Sequence, residues 1–283
     1  MNEHNRNALL AAAMAVTLLA APLTTTAQTA DPDYFDDYGS LKLERSEGGI
    51  LVVTMHNDGR PITFTAQDHT EFVEAFYRIG RDRNNKVVIL TGAGDYMAQI
   101  DFSTFGNVGD ADNWSKVHDE GVQILENLVN IRVPMIAAIE GKAHIHSEYA
   151  LTANVIVAGE SATFSDLPHF QGGIIPGDGI FTTWSYRAGP GRAEAWLLNP
   201  VPISAATAQN WGVVNEIVPD GQTVARAKEL AALYLQQPET TRRNTRIHFV
   251  QPLKERIVRE VGYGLSLEGA SANSLVKKLT NSQ

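Results

Sequence analysis

Short apolar runs rich in valine and isoleucine alternate along this chain with longer segments whose apolar residues recur every three or four positions. That alternation constrains the fold more than any other feature. Strands buried on both faces read as continuous apolar runs, and amphipathic helices as a stripe. The runs lie at 51–55, 87–90, 135–139 and 155–158. Between the first two, Thr65 is placed to cap a helix carrying Phe72, Ala75, Phe76 and Ile79 on one face. Residues 112–131 read as a longer helix, with Trp114, Val117, Gly121, Ile124, Leu128 and Ile131 in step. Strands separated by helices imply an α/β architecture. Farther on the pattern turns helical at 205–211, 222–236 and within 250–278, with a strand-like end at 213–218.

Ahead of this body, residues 8–22 form an uncharged apolar run too short for a comfortable membrane span. Arg6 precedes it, and small polar residues follow, with Thr25 and Ala27 placed before a cut at Gln28. This is the layout of a secretory signal peptide. The expected organisation is a signal peptide at 1–27, a polar, acidic linker at 28–40, a core at 41–220 and a helical region at 221–283. Export to the periplasm or beyond follows as an expectation. The chain has no cysteine, so disulfides, zinc–thiolate sites, thiol catalysis and lipid anchoring through cysteine are excluded. Its net charge of −9 is spread along the chain and gives no electrostatic footprint for nucleic acid. No later segment is long and apolar enough to span a bilayer, so no membrane partner is expected after cleavage.

Four segments in order, at 86–105, 133–143, 154–179 and 203–219, resemble the crotonase, or enoyl-CoA hydratase/isomerase, superfamily. The resemblance implies a spiral of ββα units with a C-terminal helical trimerisation region. It also implies two backbone N–H groups that hold an enolate oxyanion, here near Ala98 and in the 143–147 loop. Fold does not fix function, and the site departs from the usual pattern. Ala98-Gln99 stands where Ala-Gly is usual. His144-Ile145-His146-Ser147 replaces a glycine run, and Pro168-His169 replaces Pro-Glu. These departures resemble the β-diketone hydrolase branch of the superfamily, to which 6-oxocamphor hydrolase belongs. His146, His169, Asp178 and, on a diverged helix, Glu268 match that branch's histidines and carboxylates.

Cleaving a β-diketone requires a base for water and a donor for the enolate that leaves. A neutral His169 oriented by Asp178 suits the first task, and His146 the second. Phe64, Phe102 and Phe105 are candidates for an apolar substrate wall, with Ala98, Gln99 and Ser147 beside the oxyanion; core packing explains the phenylalanines equally well. His144 reads as structural, and Glu148 as either a surface charge or a remnant of a family catalytic position. No HExxH-type spacing occurs, so no metal is expected, and no cofactor. The expected activity is hydrolysis of a carbon–carbon bond in a cyclic β-diketone by a homotrimer or a dimer of trimers. The alternatives are a thioester enzyme of the enoyl-CoA hydratase/isomerase type and a catalytically silent binding protein. Mass spectrometry of the protein from its native host is expected to find a mature chain starting near Gln28; a full-length product would contradict export.

Overall fold

The computed structural model describes residues 32–281. The signal-peptide expectation lies outside the described residues. The centre of the fold is a six-stranded sheet in the order Leu41–Arg45, Ile50–Met55, Val87–Gly92, Met135–Ile139, Val155–Gly159, Glu216–Val218. The first two strands pair antiparallel, Leu41 opposite Met55, and the others run parallel. Continuous apolar runs are required here because the sheet is covered on both faces. Val52, Val87, Ile89, Ile136 and Val157 pack on one side against Ala227, Leu230 and Ala231. Their neighbours Val53, Val88, Leu90, Ala137 and Ile156 turn to the main core on the other.

The helices are α1 (Ala66–Arg81), α2 (Ala111–Asn130), α3 (Ser147–Leu151), α4 (Ile180–Ala188), α5 (Pro190–Leu198), α6 (Ala205–Asn210), α7 (Thr223–Leu235) and α8 (Glu239–Thr280). Thr65 does cap α1, through a capping box in which Asp68 bonds back to the Thr65 backbone. The apolar stripe on α2 faces inward, with Gly121, Ile124, Leu125, Leu128 and Val129 buried. The periodicity within 250–278 belongs to one 42-residue helix, α8, which runs through Pro252. Helices α4 and α5 follow the 154–179 segment and carry no simple stripe that marks them beforehand.

The expected linker needs correction. From Asp33 the chain makes a 3₁₀ turn at Asp33–Asp36 and buries Tyr34, Phe35 and Tyr38. Arg45 and Arg78 lie over the Phe35 and Tyr34 rings, and the Tyr34 hydroxyl donates to Asp82 at 3.0 Å. The segment's acidic composition conceals three aromatic anchors, which attach it to the body.

Arg246 on α8 ties that helix to the ends of α2 and α3. It is 2% exposed and, among the described residues, has no carboxylate partner. Its guanidinium donates to the carbonyls of Ile131 at 3.2 Å, Thr152 at 2.9 Å and Leu128 at 3.4 Å. These carbonyls lie at the C-terminal ends of α2 and α3, where a cation is favoured by the helix dipole. Arg246→Ala leaves buried acceptors unpaired. It is expected to lower the unfolding free energy by ~3 kcal/mol or more, measured by denaturant titration.

Candidate active site

The site forms where four pieces of chain meet beyond the C-terminal ends of the parallel strands. The strand Met135–Ile139 leads through Gly141 to His146, which caps α3 in the left-handed region (φ 46°, ψ 40°). A side chain there is strained and must be held by its surroundings. The His146 ring stacks on Tyr149 with centroids 4.8 Å apart and meets the Phe64 ring edge-on at 4.6 Å. The loop after Thr163–Phe164 brings Asp166 and His169, and then the turn before α4 brings Asp178. Glu268 arrives on α8, more than a hundred residues beyond His146 in the chain.

Asp178 lies between the two imidazoles. Its Oδ2 is 3.4 Å from His146 Nδ1 and 3.6 Å from His169 Nε2. His146 Nδ1 donates to Glu148 Oε1 at 2.7 Å, and its Nε2 has no partner among the described residues. His169 Nδ1 donates to Asp166 Oδ1 at 2.6 Å, while its Nε2 also faces Glu268 Oε1 at 3.6 Å. The expected His169–Asp178 dyad is therefore corrected. Asp166 is the carboxylate that hydrogen-bonds and orients His169, and Asp178 is shared by both histidines. One oxygen on each of Glu148, Asp166 and Glu268 is buried without a partner.

This geometry sets the charges. Burial alone would strip the proton from His169, but the Asp178 and Asp166 carboxylates outweigh it and raise the imidazole well above its ordinary value. Burial likewise opposes the charge on His146, yet Glu148 and Asp178 push that imidazole up to about 10. Burial raises Asp178, but His169 and the His146 hydrogen bond together hold it below the usual carboxylate range. Burial and the nearby Asp178 charge push Glu148 up to about 7. Burial also raises Glu268. The resting site thus pairs two imidazoliums with Asp178, while Glu148 and Glu268 hold protons more readily than free carboxylates. A charged His169 cannot take a proton from water, so the neutral-base role expected for it is not the one this environment favours.

The cluster ends a cavity of about 90 Å³. Ile100, Phe102, Phe105, Val108, Trp114 and Val117 are among its apolar walls. No lysine or arginine lines it. A larger cleft of about 420 Å³, beside Arg187, Arg242 and Arg246, contains no histidine or carboxylate. The triads His146–Glu148–Asp178 and His169–Asp178–Glu268 each bring ligand atoms within 4.8 Å of one another, a spacing that could hold a cation. The His146 and Glu148 atoms already satisfy each other through a shared proton at 2.7 Å.

Comparison with known proteins places this geometry. The sequence model of the enoyl-CoA hydratase/isomerase family matches residues 45–269. The chain belongs to that family. It is 25% identical over 245 residues to a probable peroxisomal enoyl-CoA hydratase of Arabidopsis thaliana, covering 86% of this chain and 89% of that one. It is 33% identical over 199 residues to the carnitinyl-CoA dehydratase of Salmonella enteritidis, covering 68% and 73%. Among solved structures it is similar to a β-diketone hydrolase from the cyanobacterium Anabaena, bound to (S)-3-oxocyclohexyl acetic acid. The two share 43% identity with a TM-score of 0.85, over 87% of this chain and 99% of that one. The crotonase-like α/β fold that the resemblance implies is the one found, and its C-terminal helical region is one long helix.

Within this family fold, the structure gathers His146, His169, Asp178 and Glu268 around one cavity, with Phe102 and Phe105 on its wall. The other expected contacts are redistributed. Phe64 is fully buried beneath His146. The Ser147 hydroxyl accepts from Trp184 Nε1 at 3.0 Å, which makes it structural. Gln99 pairs with Thr63 in a two-stranded sheet, and neither Ala98 nor Gln99 lines the cavity. Among the described residues, no acceptor engages the N–H of Ala98 or of His146, as an oxyanion pair requires. His144 turns away to Thr163 Oγ1 at 2.9 Å. Sequence reasoning missed Asp166, which its spacing of three before His169 could have flagged. It also missed His69, a buried residue of α1 that lines the cavity and shares a proton with Glu120 at 2.9 Å. Burial outweighs Glu120 there and lowers the His69 imidazole, so it stays neutral.

His146 sets a pH window for stability. Its folded value of about 10 lies above the ~6.5 of an unfolded imidazole. Its contribution is therefore complete below pH ~6.5 and is lost as pH rises through about 10. Glu148, also raised, acts in the same direction over a lower range. Thermal melts through this alkaline window are expected to fall more steeply for the wild type than for His146→Gln.

Proposed function

We propose that this protein hydrolyses a carbon–carbon bond in a compact, neutral β-diketone, cyclic in keeping with the cavity's size. One observation carries the reading: two histidines flank Asp178 at the end of an apolar cavity that no lysine or arginine of the described residues lines. A diketone develops negative charge on two oxygens in turn, and two cationic donors suit that sequence. The cavity, about 90 Å³, is far below the ~300–1,000 Å³ of drug-sized sites and favours a small substrate. The likeness to the Anabaena β-diketone hydrolase at 43% identity supports the same chemistry.

In this reading Glu268 takes a proton from water, because burial raises its carboxyl above the ordinary carboxylate value and one of its oxygens is unpartnered among the described residues. The hydroxide adds to one carbonyl carbon, and His169 donates through Nε2 to the resulting alkoxide. Asp166 fixes the ring from Nδ1. Collapse of the alkoxide breaks the bond to the central carbon. The carbonyl becomes a carboxylic acid, and the electron pair passes to an enolate held by His146. Glu268 returns its proton to the enolate carbon, so diketone and water give one keto acid. The apolar walls keep bulk water from competing with these donors.

The second reading, hydration or isomerisation of a CoA thioester, is favoured by the names of the curated relatives. The lining works against it, since phosphate groups seek lysine or arginine and the left-handed His146 occupies the loop where a thioester would need close backbone approach. Export, which we also propose, would separate the enzyme from intracellular CoA esters. The exposed Phe249, Val258, Tyr263 and Leu267 of α8 suit the proposed trimer.

Purified protein incubated with a panel of cyclic β-diketones is expected to consume diketone absorbance and yield keto acid. Glu268→Gln and His169→Ala are expected to lose ~10²–10⁴-fold in kcat, and His146→Ala ~10²–10³-fold. His144→Ala should stay within a few-fold of wild type. Hydration of crotonyl-CoA with no turnover across the panel would replace this reading with the second.

A further inference from the structure

Helix α8 carries three glycines, Gly262, Gly264 and Gly269, within two turns of one another. Glycine is the poorest helix former after proline, so their presence in a helix interior requires a reason. Elsewhere α8 packs through large side chains: Val250, Leu253, Ile257, Val261 and Leu265 are buried. Two of the glycines lie where no side chain fits. A Cβ on Gly264 would overlap the Gly177 carbonyl, and a Cβ on Gly177 would overlap the Gly264 carbonyl. The turn that presents Asp178 therefore meets α8 backbone to backbone. A Cβ on Gly269 would overlap the indole of Trp114. That indole donates from Nε1 to the Leu265 carbonyl at 3.0 Å and lines the active-site cavity. Ser271 adds a further tie, accepting from Ile175 N at 3.1 Å. Gly262 is different, because a Cβ there would meet His118 only at an ordinary 3.8 Å.

We propose that Gly264, Gly269 and Trp114 are positioning residues for catalysis: this close contact sets Glu268 against His169 and locks the Asp178 turn to the same helix. The proposal rests on the reading above that Glu268 acts in the reaction. Glu268 lies between the two glycines, one residue before Gly269, and its Oε1 stands 3.6 Å from His169 Nε2. A shift of α8 outward by the thickness of a methyl group would open that distance without removing any catalytic group. The carboxylate that faces His169 would be withdrawn, and the Asp178 turn would lose the surface it rests on. Misplacement of about 1 Å is enough to cost on the order of 10²-fold in rate.

The test compares Gly269→Ala, Gly264→Ala and Trp114→Phe with Glu268→Gln in the full-length protein. Three quantities are read: thermal stability, kcat and KM on the diketone, and the His169 imidazole titration followed by NMR with ring-labelled histidine. Gly269→Ala and Gly264→Ala are expected to lower the His169 pKa in the same direction as Glu268→Gln. They should reduce kcat ~10-fold or more with little change in KM. The double variant Gly269→Ala/Glu268→Gln should be no slower than Glu268→Gln alone. Trp114→Phe keeps an aromatic ring but loses the pyrrole half of the indole and its N–H bond to Leu265, so it loosens the contact without adding a Cβ, serves if an alanine variant does not fold, and should show the same changes in smaller degree. A fall in melting temperature with kcat and the His169 titration unchanged would overturn the proposal, as would penalties that multiply with Glu268→Gln. The imidazole titration needs no substrate, so it reports on the contact even if no diketone is cleaved.

Discussion

The arrangement depends on one buried carboxylate. Asp178 sits in a low-dielectric environment where an isolated charge would be expensive and would normally be neutralised by taking up a proton. The two imidazoles at 3.4 and 3.6 Å prevent this by remaining protonated themselves. Each imidazolium in turn has a second carboxylate on its Nδ1 side, Glu148 for His146 and Asp166 for His169. Carboxyl groups and imidazoles thus alternate from one end of the site to the other. Removing either histidine leaves its Nδ1-side carboxylate without that partner and Asp178 with one imidazole instead of two, so the cluster depends on both.

That arrangement has to be delivered by elements far apart in sequence, and the backbone shows how. The left-handed residue before α3 turns His146 under Tyr149 and toward the cluster. The Gly177–Gly264 contact brings the Asp178 turn against α8 without side chains between them. Arg246 holds the other end of α8 to the C-terminal ends of α2 and α3, so the long helix is fixed at both ends of its contact with the core. The parallel sheet supplies the reference frame. Its strands are buried on both faces and leave little freedom for the loops that follow them.

Much of this was legible beforehand, for identifiable reasons. The strands at 87–90 and 135–139 announce themselves because double-sided burial demands unbroken apolar runs. The start of α1 is visible because Thr65 and Asp68 form a local capping box. His146 and His169 stand out as departures from a glycine- and glutamate-bearing pattern, and Asp178 as a match to the β-diketone hydrolase branch. What stayed hidden is non-local. Nothing in the sequence says that Ser147 faces Trp184 rather than the cavity, because the two meet only after α4 has packed. His69 sits on the same buried stripe as Phe72 and Phe76, where an imidazole reads as core until Glu120 is seen across from it. The acidic segment before the first strand misleads because composition averages over the three aromatics that anchor it. The charge of His169 is also beyond sequence reasoning. One carboxylate nearby suggests an oriented neutral base, and only the count of carboxylates around the ring shows an imidazolium.

The same consideration explains how one fold can serve different chemistry without rearranging its frame. A glycine run at the entrance to α3 offers backbone N–H groups to a ligand that can approach closely. Placing His146 there closes that approach and substitutes a charged donor at the end of a side chain. A donor so placed is useful only if its charge is kept, and a buried imidazole keeps its charge only beside carboxylates. Glu148 and Asp178 supply those carboxylates, and Asp178 is shared with His169. Glu268 completes the sequence of requirements. In the proposed reaction both histidines hold protons, so the acceptor is a carboxylate, and burial raises that of Glu268 above its ordinary value.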